Sequence, residues 1–83
     1  MTTTVTLYGK PGCCLCDDAR GEIERLRARL GFALEEVDVS LDPVLHREYG
    51  ERIPVVAVDG HERFELEVDT TELERLLARV AGS

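Results

Sequence analysis

The residues Tyr8-Gly9-Lys10-Pro11-Gly12-Cys13-Cys14-Leu15-Cys16 join a strand-like run to a helix-like run through two glycines and a proline, and they carry all three cysteines of the chain. Upstream, Thr4-Val5-Thr6-Leu7-Tyr8 is β-branched and aromatic, which predicts a short strand from Thr4 to Gly9, ended by the Gly-Lys-Pro-Gly punctuation. Downstream, Ala19, Ile23, Leu26 and Leu30 recur at helical spacing while Glu22, Glu24, Arg25, Arg27 and Arg29 face water, which predicts a helix from about Cys14 to Leu30. Asp17 and Asp18 suit its positive first turn, the arginines suit its last, and Gly31 stops it. The C-x-x-C pair Cys13 and Cys16 therefore falls where a strand turns into a helix.

Beyond Gly31, Leu34 to Val39 reads as a second strand with Val37 and Val39 on one face. Asp42-Pro43 opens a short helix through about Tyr49, since proline at the first helical position loses no needed hydrogen bond, and Gly50 ends it. Pro54-Val55-Val56-Ala57-Val58 is nearly continuous in apolar character, which predicts a strand buried on both faces. Asp59-Gly60 is a strong hairpin signal, and a two-residue turn would set Val55 opposite Phe64 and Ala57 opposite Glu62. The returning strand alternates, with Phe64, Leu66 and Val68 inward and Arg63, Glu65 and Glu67 outward, as a charged edge strand does. Asp69-Thr70-Thr71-Glu72 starts the last helix, capped by Asp69 or Thr71, and Leu73, Leu76, Leu77 and Val80 form its buried stripe. The expected fold is a single α/β domain over residues 1–83 with the order β-α-β-α-β-β-α. Its first two strands run parallel across a helical crossover, and its last two form an antiparallel hairpin in a mixed four-stranded sheet.

Composition bounds the function. A chain of 83 residues that is 43% hydrophobic and 33% charged is an ordinary globular domain with a modest core. Its 17 acidic against 10 basic side chains, net −7, argue against tracking phosphates or anionic lipid, so neither nucleic acid nor a membrane is an expected partner. No apolar run approaches the roughly 18 residues of a membrane helix. Met1-Thr2-Thr3-Thr4-Val5 lacks the charged start of a signal peptide, so a cytoplasmic location is expected.

Three cysteines within four residues close almost no loop, and in a reducing compartment such a cluster points to redox or metal chemistry rather than to stapling. Cys13 meets the exposed N–H groups and positive end of the helix, which favour thiolate, and Lys10 adds positive charge nearby. Cys16 lies deeper in the first turn beside Asp17 and Asp18, whose charges oppose its ionisation. That asymmetry predicts that Cys13 attacks a disulfide and Cys16 resolves the mixed disulfide. Helical geometry turns Cys14 away from the face shared by the other two. The alternative is a binding module in which Cys13, Cys14 and Cys16 hold a metal ion or an iron–sulfur cluster. No second C-x-x-C exists, however, and His46 and His61 lack ligand-like spacing, so no metal ligand is assigned.

Taken together, Tyr8-Gly9-Lys10-Pro11-Gly12-Cys13-Cys14-Leu15-Cys16 and Arg52-Ile53-Pro54-Val55 resemble the active-site and cis-proline segments of the glutaredoxins, most of all the small bacterial glutaredoxin-like proteins of the thioredoxin superfamily. The resemblance covers almost the whole chain. It implies a sheet in the order 2-1-3-4 with helices on both faces, Cys13 as nucleophile, Cys16 as resolving thiol, and a cis Pro54 whose preceding Ile53 backbone pairs with an incoming peptide or thiol tripeptide. Lys10 would hold thiolate or a substrate carboxylate. It also implies a monomer with no resident cofactor, acting on disulfide-containing proteins or small mixed disulfides. Two departures bear on the co-substrate. Cys14-Leu15 stand where glutaredoxins commonly have Pro-Tyr, and Glu67-Val68-Asp69-Thr70 stands where they carry a Gly-Gly pair. With Glu62, Glu65 and Glu67 on the adjoining strand, glutathione, another low-molecular-weight thiol and a protein reductant all stay open.

Overall fold

Alternation in the first strand sets the two faces of the sheet. In the computed structural model, which describes residues 3–81, β1 spans Thr4–Gly9, with Val5, Leu7 and Gly9 buried and Thr4, Thr6 and Tyr8 half-buried on the opposite face. α1 covers Cys14–Leu30 and crosses to β2, Ala33–Asp38, which runs parallel to β1 from Thr4 opposite Ala33 to Gly9 opposite Asp38. A single 3-10 turn, Val39–Leu41, leads into α2, Pro43–Tyr49. β3, Val55–Val58, is antiparallel to both β1 and β4, His61–Glu65, and α3 spans Thr70–Ala81. The sheet order is β2-β1-β3-β4, the mixed four-stranded arrangement expected.

Two apolar clusters hold these layers. On one face, Val5, Leu7, Val56 and Val58 of the sheet pack against Ala19, Ile23 and Leu26 of α1 and Leu73 and Leu77 of α3. The expected helical stripes thus do the burying, with Leu30 and Leu76 at the margin; the side chain of Val80 lies outside the described residues. The second cluster gathers Cys16, Val39 and Ile53, with Tyr8, Cys13, Leu45 and Tyr49 packed around them. Tyr8 and Tyr49 stack with ring centroids 4.3 Å apart, which seats α2 against the sheet face opposite α1 and α3. Every residue of β3 is buried, as its unbroken apolar run predicts.

The turn chemistry accounts for most boundaries. Gly31 takes φ 74° and its N–H donates to the Arg27 carbonyl, closing α1. Asp42 caps α2 by accepting from the Val44 N–H at 2.8 Å. Of the two capping frames open for α3, Asp69 is the one used: its carboxylate accepts from the Glu72 N–H at 3.1 Å. β2 starts one residue before the expected Leu34 and stops at Asp38, because that side chain turns back to accept from the Ser40 N–H at 2.9 Å and draws Val39 into the 3-10 turn. Val39 stays fully buried all the same.

The hairpin is where the expectation fails. Asp59 and Gly60, at φ 50° and 85°, make the two-residue turn, and Val58 opposes His61 and Ala57 opposes Glu62. A bulge then intervenes, so Val56 opposes Phe64 and Val55 opposes Glu65 rather than Phe64. Arg63 is the extra residue. The strand ends at Glu65, and Leu66, expected inward, is half exposed at φ 66°. Its N–H donates to the Arg52 carbonyl and the Glu67 N–H to the Glu65 carbonyl, turning the chain out of the sheet before Leu66 reaches the core face. Phe64 and Val68 do pack against the core. No helix among the described residues is long and apolar enough to cross a membrane.

Leu73 is fully buried at the junction of α3, α1 and the sheet. Leu73→Ala is expected to cost about 2–5 kcal/mol of stability in urea denaturation. Asp69→Ala, which removes only the cap of α3, is expected to cost about 1 kcal/mol. An inverted order would show that α3 is held by its terminus rather than by its apolar stripe.

Candidate functional site

Gly9, at the end of β1, is the residue against which Cys16 packs. A Cβ placed there would lie 3.0 Å from the Cys16 sulfur and 3.1 Å from its Cβ, so glycine gives the first turn of α1 the room to press its second cysteine close against the strand, where a side chain would make the sulfur give way by a few tenths of an ångström. Cys16 is consequently buried, with 2% of its surface exposed, beside Val39 and Ile53. Cys13 is half-buried at the N-cap of α1 in extended conformation, its carbonyl accepting from the Asp17 N–H at 3.0 Å. Gly12 takes φ 81° in the loop just before it. Both sulfurs belong to free thiols, and Cys14 points to solvent.

This placement separates the two thiols electrostatically. The Cys13 thiol is pulled below the usual cysteine value, first by the Cys16 thiol; partial burial opposes the pull, and the N–H groups of Cys16 and Leu15 add to it, with Lys10 contributing least. The Cys16 thiol is pushed up to about 11, first by burial and then by its position as donor to Cys13. The expected asymmetry is present, but its origin differs from the sequence reading. Burial, not Asp17, is the leading cause at Cys16, and the charge of Asp17 ranks behind burial and the Cys13 thiol. Lys10, though exposed and close in sequence, ranks behind the neighbouring thiol and the backbone.

The loop before β3 completes the site. The Ile53–Pro54 peptide bond is cis. Ile53 packs in the Cys16 cluster, and Pro54 lines a groove shared with Leu15 of the cysteine turn, so the two segments singled out in the sequence are adjacent in space. A second groove, of about 330 Å³, is lined by Lys10, Arg20, Glu36 and Asp38 and touches Cys16, with Arg20 paired to Glu36 at 2.6 Å. Cys14 does not join the other thiols: it is exposed where Cys16 is buried. Among the described residues no three His, Cys, Asp or Glu side chains are grouped to hold a metal ion.

Two features had no signal in the sequence reading. The Tyr8–Tyr49 stack forms one wall of the Cys16 cluster. Arg52, two residues before Pro54, is clamped by Glu62 and by Glu65, the latter at 2.6 Å, and lies over the Tyr49 ring at 5.5 Å. The hairpin bulge makes that clamp: residues three apart on a regular strand face opposite ways, and the extra Arg63 brings Glu62 and Glu65 to the same side.

Because the Cys16 thiol is the leading cause of the low Cys13 value, Cys16→Ala is expected to move the Cys13 titration up toward the ordinary value of 9.0. The ultraviolet absorbance of the thiolate, or the pH dependence of alkylation with mass mapping, reads this directly. In the parent, Cys13 is expected to alkylate first at neutral pH; preferential labelling of Cys16 would reverse the roles. Stability follows the same groups. Cys16 titrates near 9.0 unfolded and near 11 folded, so its contribution is present below pH 9 and is lost as pH rises through about 11. The reduced parent is therefore expected to lose more stability over that window than Cys16→Ala does.

Comparison with known proteins agrees with this geometry. An uncharacterized protein of Mycobacterium tuberculosis is 35% identical over 80 residues, spanning 90% of this chain and 82% of that protein. A structural genomics target protein from X. campestris, solved by X-ray crystallography, superposes with a TM-score of 0.74 at 29% identity, covering 90% of this chain and 96% of that one. A mutant thioredoxin from Halobacterium salinarum shares the fold, with a TM-score of 0.69 at 22% identity over 93% of this chain and 73% of that one. The family model described as Glutaredoxin-like domain (DUF836) matches residues 4–78, nearly the full length. With its strand order, its cysteine turn at the start of α1 and that match in hand, the chain belongs to the glutaredoxin-like domain family and carries the thioredoxin fold.

Proposed function

We propose that the protein is a thiol–disulfide oxidoreductase of glutaredoxin type. The observation that carries this reading is the pairing of a half-exposed Cys13 at the start of α1 with a buried Cys16 one turn further on. The fold and the family support a thiol-redox role; the assignment of steps to residues is our own.

The Cys13 thiolate attacks one sulfur of a substrate disulfide R–S–S–R′, forming Cys13–S–S–R and releasing R′S⁻, which takes up a proton. Once Cys13 is in the mixed disulfide it no longer accepts the Cys16 proton as a thiolate, and one cause that held Cys16 protonated, second to its burial, is gone. Cys16 loses its proton and attacks the Cys13 sulfur. The Cys13–Cys16 bond forms, the Cys13–S–R bond breaks, and RS⁻ leaves to be protonated. Two electrons pass to the substrate. Two molecules of a low-molecular-weight thiol such as glutathione, leaving as their disulfide, or one dithiol protein return them as co-substrate, and no resident cofactor is required. Ile53 packs in the Cys16 cluster, and its backbone would pair in strand fashion with an extended substrate segment. Lys10 would add positive charge beside the departing and attacking sulfurs. A chain that works through free thiols suits a reducing compartment such as the cytoplasm, and the reaction as proposed needs one copy only.

Serine substitutions test the scheme. Cys13→Ser is expected to abolish disulfide reduction, and Cys16→Ser to accumulate the mixed disulfide or retain only single-thiol chemistry. Cys14→Ser is expected to keep the rate within about twofold, a change of under 1 kcal/mol in barrier height. On a metal or iron–sulfur reading the three variants would instead lose bound metal together. A Cys14→Ser protein as inactive as Cys13→Ser would end the two-thiol mechanism.

A further inference from the structure

Beside the cysteine turn runs a groove of about 130 Å³, lined on one side by Pro54. Pro54 and Ala19 are buried in its floor, Val68 is half-buried, and Leu15 and Leu66 stand in its walls with 59% and 53% of their surfaces exposed. The volume is below the roughly 300 Å³ at which pockets begin to enclose a small ligand whole, and suits one side chain of a longer molecule.

Leu66 gives the groove its clearest mark. It is a bulky residue held at φ 66°, in the left-handed region that disfavours a side chain and that glycine adopts freely. The side chain gains no burial in return, being half in water, and the turn that presents it is fixed by its own N–H donating to the Arg52 carbonyl at 2.9 Å. Strain spent to expose an apolar group marks a contact surface rather than a packing need.

The charge around the groove is one-sided. Asp18, Glu22 and Glu67 edge it. Glu22 is paired with Arg25, but among the described residues neither Asp18 nor Glu67 has an ion-pair partner. Arg52, the cation of the neighbouring loop, is spent on Glu62 and Glu65. Among the described residues that line the groove there are carboxylates and no cation, so an approaching anion meets like charge, whereas a lysine or arginine meets two partners.

Resting on the thiol–disulfide reading, we propose that the groove of Leu15, Pro54, Leu66 and Val68, edged by Asp18 and Glu67, docks an extended polypeptide segment whose apolar side chain is flanked by lysine or arginine. The substrates of Cys13 are then disulfides carried by cationic polypeptides. The apolar side chain fills the groove and its basic neighbours reach the two carboxylates. A second copy of this acidic chain, net −7, would bring like charge to the same rim.

The test uses the reduced full-length protein and peptides carrying one cysteine in mixed disulfide with mercaptoethanol. One series has leucine flanked by lysines, a second leucine flanked by glutamates, a third serine flanked by lysines; hydroxyethyl disulfide is the uncharged control. At low salt the lysine–leucine peptide is expected to react at least about tenfold faster than the glutamate–leucine peptide, with the gap closing in high salt. Asp18→Asn with Glu67→Gln is expected to shrink that ratio. Leu66→Gly should keep or raise the thermal midpoint, since glycine suits the left-handed turn, yet lower the preference for leucine over serine several-fold. Equal rates for the lysine and glutamate peptides at low salt would overturn the proposal. So would faster reduction of a glutathione mixed disulfide, which would assign the groove to a small anionic thiol. A dimer in sedimentation that Leu66→Gly dissolves would assign it to a second copy and likewise overturn it. If hydroxyethyl disulfide and every peptide go unreduced, it is the thiol–disulfide reading that fails, and the docking claim falls with it.

Discussion

Cys16 presses close against the end of β1 because residue 9 has no side chain, and the chemistry of the site grows from that contact. The close approach buries one thiol and leaves its partner at the mouth of the helix. Burial favours the neutral form of Cys16, and a neutral thiol is a hydrogen-bond donor, so the group that is hard to ionise becomes the means by which Cys13 is ionised. Any larger residue at position 9 would have to move the sulfur or the strand. The surrounding apolar residues, Val39, Ile53 and Leu45, keep that contact dry and so keep the difference between the thiols large.

The same loop that supplies Ile53 is held from its other side by charge. Arg52 reaches Glu62 and Glu65 on β4, rests over Tyr49 of α2, and lends its carbonyl to the Leu66 N–H. Each ion pair here is partly exposed and worth little alone. Their value is geometric: one side chain joins α2, the loop before β3 and the end of β4, three segments that border the cysteines. The Tyr8–Tyr49 stack adds a fourth tie, from β1 to α2.

The helices and central strands were legible because each has one strong period and one clear stop. Cys14–Leu30 has its stripe and Gly31; Val55–Val58 has its apolar run and Asp59-Gly60. The active pair was legible for a similar reason, since C-x-x-C at a strand-to-helix junction constrains both sulfurs. What was not legible depended on side chains competing with the backbone or on contacts distant in sequence. Asp38 ended β2 early through its own carboxylate, and the hairpin bulge arose where Arg63 slipped out of register so that both neighbouring glutamates could reach Arg52. Alternation alone placed Leu66 inward because it assumes a strand that continues, and nothing local announces the turn fixed by a carbonyl fourteen residues back. The rank of causes at Cys16 also escaped, because formal charges are visible in a sequence and burial is not.

The rims of the sheet have a bearing on how the molecule behaves among its neighbours. β2 presents the exposed Glu35 and Glu36 at one border, and β4 presents Glu62, Arg63 and Glu65 at the other. Unpaired backbone groups on a bordering strand invite another chain to add itself there, and carboxylates with a kinked, interrupted ladder discourage it. The bulge at Arg63 therefore works outward as well as inward: the irregularity that turns two glutamates toward Arg52 also spoils the flat template on which a fibril could grow.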